Sequence, residues 1–165
     1  MAETVLSLRV QVKLNGRVVG DDGSVLDIDE TYDETFGDGT GSDQVGSVWQ
    51  DKTRPLNATS EDLDVQGGLT DFQGAALAMG TIKLLYLRDL DEDAGDDMLL
   101  KQGSVNPVTT ILGGTAPTIK VGPKGILLLV SPIDGYATVA ATADKIAIQT
   151  TDNSNYRLIL AGDNA

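Results

Sequence analysis

The sequence predicts an all-β fold, a jelly-roll-like β-sandwich or barrel with little or no helix. Three observations predict it. Residues 6–14 alternate strictly between apolar and polar side chains, the period-two signature of a strand with one buried face. Turn-forming residues punctuate short apolar runs at intervals of about 8–12 residues, the spacing of sandwiches and barrels. The last third, residues 118–163, consists almost wholly of such runs and turns and carries little that looks like a site for chemistry.

Taken in order, Leu6, Leu8, Val10, Val12 and Leu14 form the apolar side of the first predicted strand. Asn15-Gly16 follows at once and predicts a tight hairpin turn, because both central residues of a type I′ turn need positive φ. Residues 17–19 then form a short return strand. Residues 21–43 hold nine carboxylates and no Lys or Arg. Val25, Leu26 and Ile28 suggest a strand there, and the remainder, through Gly37 to Gly41, is expected as loop. Trp49 lies in a short strand over 48–50, and Pro55 is expected to block a central-strand position nearby. Residues 62–65 alternate again, and 69–74 are expected as a turn region.

Residues 81–88, TIKLLYLR, are apolar on both faces and predict a strand in the middle of the sandwich. A helix over 75–88 is the rival reading, disfavoured by about 1 kcal/mol for Gly80 in its interior. Residues 89–97 form an acidic loop, 98–101 and 108–112 weak strands, and 118–121 and 126–130 a strand–turn–strand unit around Gly122-Pro123-Lys124-Gly125. Strands over 137–139, 145–150 and 156–160 complete the set, the last two separated by the turn Asp152-Asn153-Ser154-Asn155. The expected organisation is one β domain over 1–165, with an N-terminal hairpin and acidic region (about 1–47) and a main sandwich (about 48–163).

Composition narrows the chemistry. The chain has no Cys and no His, which removes disulfides, thiolate metal sites, and catalysis built on Ser-His-Asp or Cys-His. A net charge of −13 repels phosphate backbones, so no nucleic-acid partner is expected. No apolar run reaches membrane-spanning length and the N-terminus does not read as a signal peptide, so no membrane partner is expected. One Trp, two Phe and four Tyr make a poor stacking platform for sugars or bases. Trp49 is read as core in preference to an exposed anchor.

Several motifs invite a chemical reading and are answered by a simpler one. Asp89, Asp91, Asp93 and Asp96 place oxygen ligands at spacings that could wrap a calcium ion. The helix-loop-helix calcium pattern fails, however, because its glycine falls on Ala94 and its bidentate Glu on Leu100. A solvated, self-repelling loop is the preferred reading. Residues 39–45 match half of a calcium-binding nonapeptide, of which one copy makes no site. Gly122-Pro123-Lys124-Gly125 has neither the spacing nor the following helix of a phosphate loop and is read as a hairpin turn. Asp62 and Asp64 share a strand face, but among 25 acids chance pairs are expected. No catalytic residue and no cofactor is assigned.

Residues 59–74, TSEDLDVQGGLTDFQG, resemble a recurring phrase of tailed-bacteriophage and prophage virion structural proteins. In that family an acid-Leu-Asp-Leu-Ala-Gly phrase leads to Leu-Thr-Asp and a Phe-Gly-type turn. A buried strand follows, matched here by Ile82 to Leu87. A Pro-Gly-Gly turn, a Leu-rich strand and Asp-Gly-Tyr come next, in the places of residues 122–125, Ile126 to Val130 and Asp134-Gly135-Tyr136. A Thr-Ala-Asp-x-Ile phrase closes the match at Thr142 to Ile146. The resemblance covers about residues 48–162, with Lys124 for a Gly and the acidic stretch 89–97 as departures. It implies a non-enzymatic auxiliary capsid protein of the decoration or cement type. Such a protein is made in the bacterial host cytoplasm and sits on the capsid surface of the virion. Its partners are the major capsid protein and its own copies, a trimer being favoured over a dimer. A tail- or fibre-associated adhesin or carbohydrate-binding module is the alternative.

Overall fold

The computed structural model describes residues 7–57, 59–93, 95–113 and 117–165. Leu6, at the start of the predicted alternation, and Ala94, in the acidic loop, lie outside the described residues. In chain order the elements are β1 (Leu8–Val19), β2 (Val25–Asp38), β3 (Gln44–Val45), β4 (Ser47–Asn57), β5 (Ser60–Asp64), β6 (Gln66–Thr70), β7 (Ala76–Asp89), β8 (Met98–Gln102), α1 (Thr109–Leu112), β9 (Thr118–Val121), β10 (Ile126–Val130), β11 (Tyr136–Ala137), β12 (Lys145–Thr150) and β13 (Asn153–Asn164). The fold is an all-β sandwich.

The front sheet runs β10-β7-β13-β4, with β6 and β11 also paired to β7. The back sheet runs β5-β12-β8-β9. Every pairing in the two is antiparallel. Alternate residues of both sheets meet in one core: Leu85, Leu87, Leu158, Leu160 and Trp49 from the front, Leu63, Met98, Leu100, Ile146 and Ile148 from the back. Removing these side chains from water is the main driving force for the fold, at about 1.5–3 kcal/mol for each large aliphatic residue. Trp49 is core, as its composition-based reading expected.

β7 is a strand over its whole length, and Gly80 sits within it where no helix forms. β13 crosses β7 with register shifts, one at Ala161/Gly162. A Cβ at Gly162 would lie 1.8 Å from the Thr81 carbonyl oxygen, so only glycine permits this approach. Pro55 lies inside β4, in keeping with the expectation that it would exclude a central-strand position. β4 is an edge strand, where a missing N–H costs no ladder bond.

Five local expectations are overturned. Asn15 and Gly16 do not form a turn; they sit mid-strand in β1, opposite Asp29 and Ile28. The turn lies at 20–24, where Gly23 has φ of 83° and the Asp22 carboxylate accepts the Ser24 N–H at 2.9 Å. A turn at 15–16 would leave three residues to pair back, whereas the observed hairpin pairs all twelve residues of β1. Most of 21–43, expected as loop, is the fourteen-residue strand β2. Its period-two signal is present in Leu26, Ile28, Tyr32 and Phe36, but the density of carboxylates obscures it.

Residues 109–112 form a single helical turn instead of a strand. Both edges of β8 are already taken by β12 and β9, and the helical turn instead packs Ile111 and Leu112 against the core. Residues 122–125 are not a hairpin turn: β9 belongs to the back sheet and β10 to the front, so the chain crosses the sandwich there. The connection between β12 and β13 crosses in the same way. It is shorter than the predicted 152–155 turn, since β13 begins at Asn153.

Candidate functional site

β1 and β2 form a two-stranded arm that leaves the front sheet at its root. Register assigns its two faces. Arg9, Gln11, Lys13, Asn15 and Arg17 stand opposite Thr35, Asp33, Thr31, Asp29 and Asp27 on one face. Leu8, Val10, Val12, Leu14 and Val18 stand opposite Phe36, Glu34, Tyr32, Glu30 and Leu26 on the other. The polar face is closed by its own ion pairs, Arg9 to Asp33, Lys13 to Asp29 at 3.9 Å and Arg17 to Asp27 at 3.6 Å. The guanidinium of Arg9 holds the Asp33 carboxyl below its ordinary pKa, chiefly by hydrogen bonding.

The apolar face is covered at its root only. Phe36 is fully buried with Val45, Leu84 and Ala161, and Leu8 and Val10 pack against this cluster. Towards the tip, Leu14 is 59% exposed, Val18 57% and Leu26 60%, and Ile28 and Tyr32 are exposed as well. Exposed apolar side chains occur elsewhere, Phe72 and Ile133 among them, but here they line one face of a ribbon, the arrangement of an interaction surface.

Facing the arm is the outer side of the front sheet, whose register gives three rows. Val130, Leu84, Ala161 and Val48 form the row at the arm's root. Leu128, Tyr86, Ile159 and Gln50 form the second. Ile126, Arg88 and Arg157 form the third. Arm and sheet diverge along these rows and enclose an open cleft of about 690 Å³, walled by Val10, Val12 and Leu14 on one side and Tyr86, Ile126 and Leu128 on the other. In the row of Ile126, next to the residues that line the cleft, Arg88 and Arg157 are direct cross-strand neighbours. Neither makes an ion pair among the described residues. The Arg88 Nε is buried without a hydrogen-bond partner.

Lys83 pins the arm's root. Its side chain is 1% exposed, and Nζ donates to the carbonyls of Gly41 at 2.6 Å and Gln44 at 2.9 Å. The Asp163 carboxylate completes the set at 2.9 Å, and Thr81 donates its hydroxyl to the other Asp163 oxygen at 2.7 Å. The buried ammonium thus has two hydrogen bonds and an ion pair, and the loop it holds leads from β2 through β3 to β4.

The acidic loop gives a divided answer on the calcium candidates. Asp91, Asp93 and Asp96 bring one carboxylate oxygen each to within 4.8 Å of one another. Asp89 is not in that group; it ends β7, fully buried, where Oδ1 accepts the Asp91 N–H at 2.9 Å and the Ser154 hydroxyl at 3.2 Å. Burial raises the pKa of both Asp89 and Asp96, and neighbouring carboxylates raise them further. Leu100, where a bidentate Glu would be needed, is a buried residue of β8. Asp62 accepts the Ser104 N–H and hydroxyl, and Asp64 accepts the Gln66 N–H at 2.9 Å, so both have structural work.

The arm's length, its exposed face and the paired arginines escaped the reading of the sequence. The even-numbered apolar positions of β2 were the available signal for the arm. Nothing local signals Arg88 beside Arg157. No protein-family model matches this chain, and no curated protein or solved structure gives a significant match.

Proposed function

We propose that this chain is a non-enzymatic virion structural protein of a tailed phage, a capsid decoration or cement protein that binds the major capsid protein of the mature head as a homo-oligomer, a trimer in preference to a dimer. The observation that carries the reading is the arm: a rigid sandwich projects a ribbon with one apolar, uncovered face. Such a ribbon is suited to docking on a partner surface and not to turnover. A two-stranded ribbon is marginally stable alone, so its apolar face favours a partner.

Charge and sequence support the same reading. A net charge of −13 keeps many copies apart before assembly. An oligomer that straddles several shell subunits gains affinity by avidity. The phrase over residues 59–74 supplies the phage resemblance. The test is binding of purified protein to procapsids and expanded heads, with labelled protein imaged on virions. Saturable binding to expanded heads is expected. Binding to neither form overturns the reading, and label confined to tail tips replaces it with an adhesin.

A further inference from the structure

We infer that the arm of one copy seats in the cleft of a second copy of this chain. The inference specifies the self-assembly step of the reading above and rests on that reading only for the claim that the chain assembles.

Each half of the contact is present on the same chain. The arm offers Leu14, Val18, Leu26 and Ile28, all exposed, with Glu30 and Glu34 among them on the same face. The cleft offers Tyr86, Ile126 and Leu128, with Arg88 and Arg157 beyond them. Apolar ribbon meets apolar wall, and the two acids meet the two bases. Among the described residues none of these four is ion-paired, and Arg157 makes only a hydrogen bond, from Nε to the Lys52 carbonyl at 3.2 Å.

The arm's other face is satisfied by its own three ion pairs. The guest arm's apolar face is set on the sheet wall of the cleft, Tyr86, Ile126 and Leu128, and not on the host arm's apolar face, where Glu30 and Glu34 would meet their own copies. The contact therefore joins two different patches. Contacts of that kind close into rings when the rotation permits, which accommodates a trimer as readily as a dimer. The chain's acidity slows encounter between copies, while the local charges of arm and cleft select the productive orientation.

The test measures mass in solution, by light scattering and sedimentation, across a range of concentrations. The wild type is expected to be oligomeric. The arm variant Glu30→Lys/Glu34→Lys and the cleft variant Arg88→Glu/Arg157→Glu are each expected to weaken association about a hundredfold, as opposed like charges do at an interface. The chain carrying all four reversals is expected to reassemble. Because Arg88 is partly buried, Leu14→Asp/Ile28→Asp provides a second disruption at exposed positions, with native circular dichroism as the folding check. A wild type that stays monomeric, or an oligomer indifferent to the arm substitutions, overturns the inference. A monomer that binds heads through its arm overturns it while the decoration reading stands. An arm-dependent oligomer that binds no head does the reverse.

Discussion

Tyr156 on the front sheet donates its hydroxyl to Oε1 of Glu61 on the back sheet at 2.5 Å. Arg54 of β4 holds the same carboxylate, with Nε at 2.9 Å and Nη2 at 2.7 Å. The Tyr156 ring is fully buried, and burial, then the bond to Glu61, raises its pKa far above the ordinary value. The hydrogen bond to Glu61 does the same for Arg54. Three strands from two sheets are thus tied at one carboxylate.

Tyr156→Phe is expected to lose about 1 kcal/mol, the net value of one hydrogen bond, and Glu61→Ala about 2–3 kcal/mol, since it strands a buried hydroxyl and a guanidinium. In urea unfolding the double variant should cost less than the sum of the two. Strict additivity would show that the two side chains are not coupled.

Lys83→Ala is expected to cost about 3–5 kcal/mol, because the Asp163 carboxylate loses its buried cation. Hydrogen exchange should accelerate first in residues 37–45, the loop that Lys83 holds, and in the arm's root. Uniform acceleration over the whole chain would deny Lys83 a specific role at the root.

Gly162→Ala is expected to prevent native packing of β13 on β7. Its Cβ would overlap the Thr81 carbonyl, and neither strand can move without breaking the ladder. A melting temperature within a few degrees of wild type would refute the close approach.

Stability is expected to rise as pH falls through the folded-state pKa values of Asp89 and Asp96. Asp89 and Asp96 have folded-state pKa values above their ordinary ones. Such acids bind their proton more tightly in the folded chain, so stability falls as pH rises from the unfolded pKa, about 3.9, through the folded value. The opposite contribution, from Asp22 and Asp33 with lowered values, fades only at more acid pH. Asp89→Asn should flatten the profile just above the unfolded carboxylate pKa, about 3.9. An unchanged profile in that variant would remove Asp89 as a cause.

The loop holding Asp91, Asp93 and Asp96 is read as a self-repelling face. Its melting temperature is expected to be the same in EDTA and in calcium, with no heat on calcium titration. A calcium-dependent rise would make it a binding loop.

The legible part of this protein was local. Alternation of Leu8, Val10 and Val12 with polar neighbours marks β1 whatever it pairs with, because a strand's two faces are set by its own backbone. Residues 98–101, 118–121, 126–130 and 145–150 were readable as strands for the same reason. The missing histidines and cysteines are properties of composition. Turn position is set by pairing: Asn15-Gly16 has residues suited to a hairpin turn, yet the longer ladder of β1 with β2 outweighs them. The same holds for 122–125, where turn residues mark a reversal but not which sheet receives the next strand.

Composition and backbone periodicity therefore determined, without any structure, that this chain is built of strands around an apolar core and lacks histidine- and thiol-based chemistry. Only the tertiary structure decided that the arm's apolar face is left uncovered towards its tip, that Arg88 stands beside Arg157, and that Lys83 is buried against Asp163. Each of these depends on pairing between segments far apart in the chain. Register is settled by the summed packing of whole strands, and no local pattern carries it.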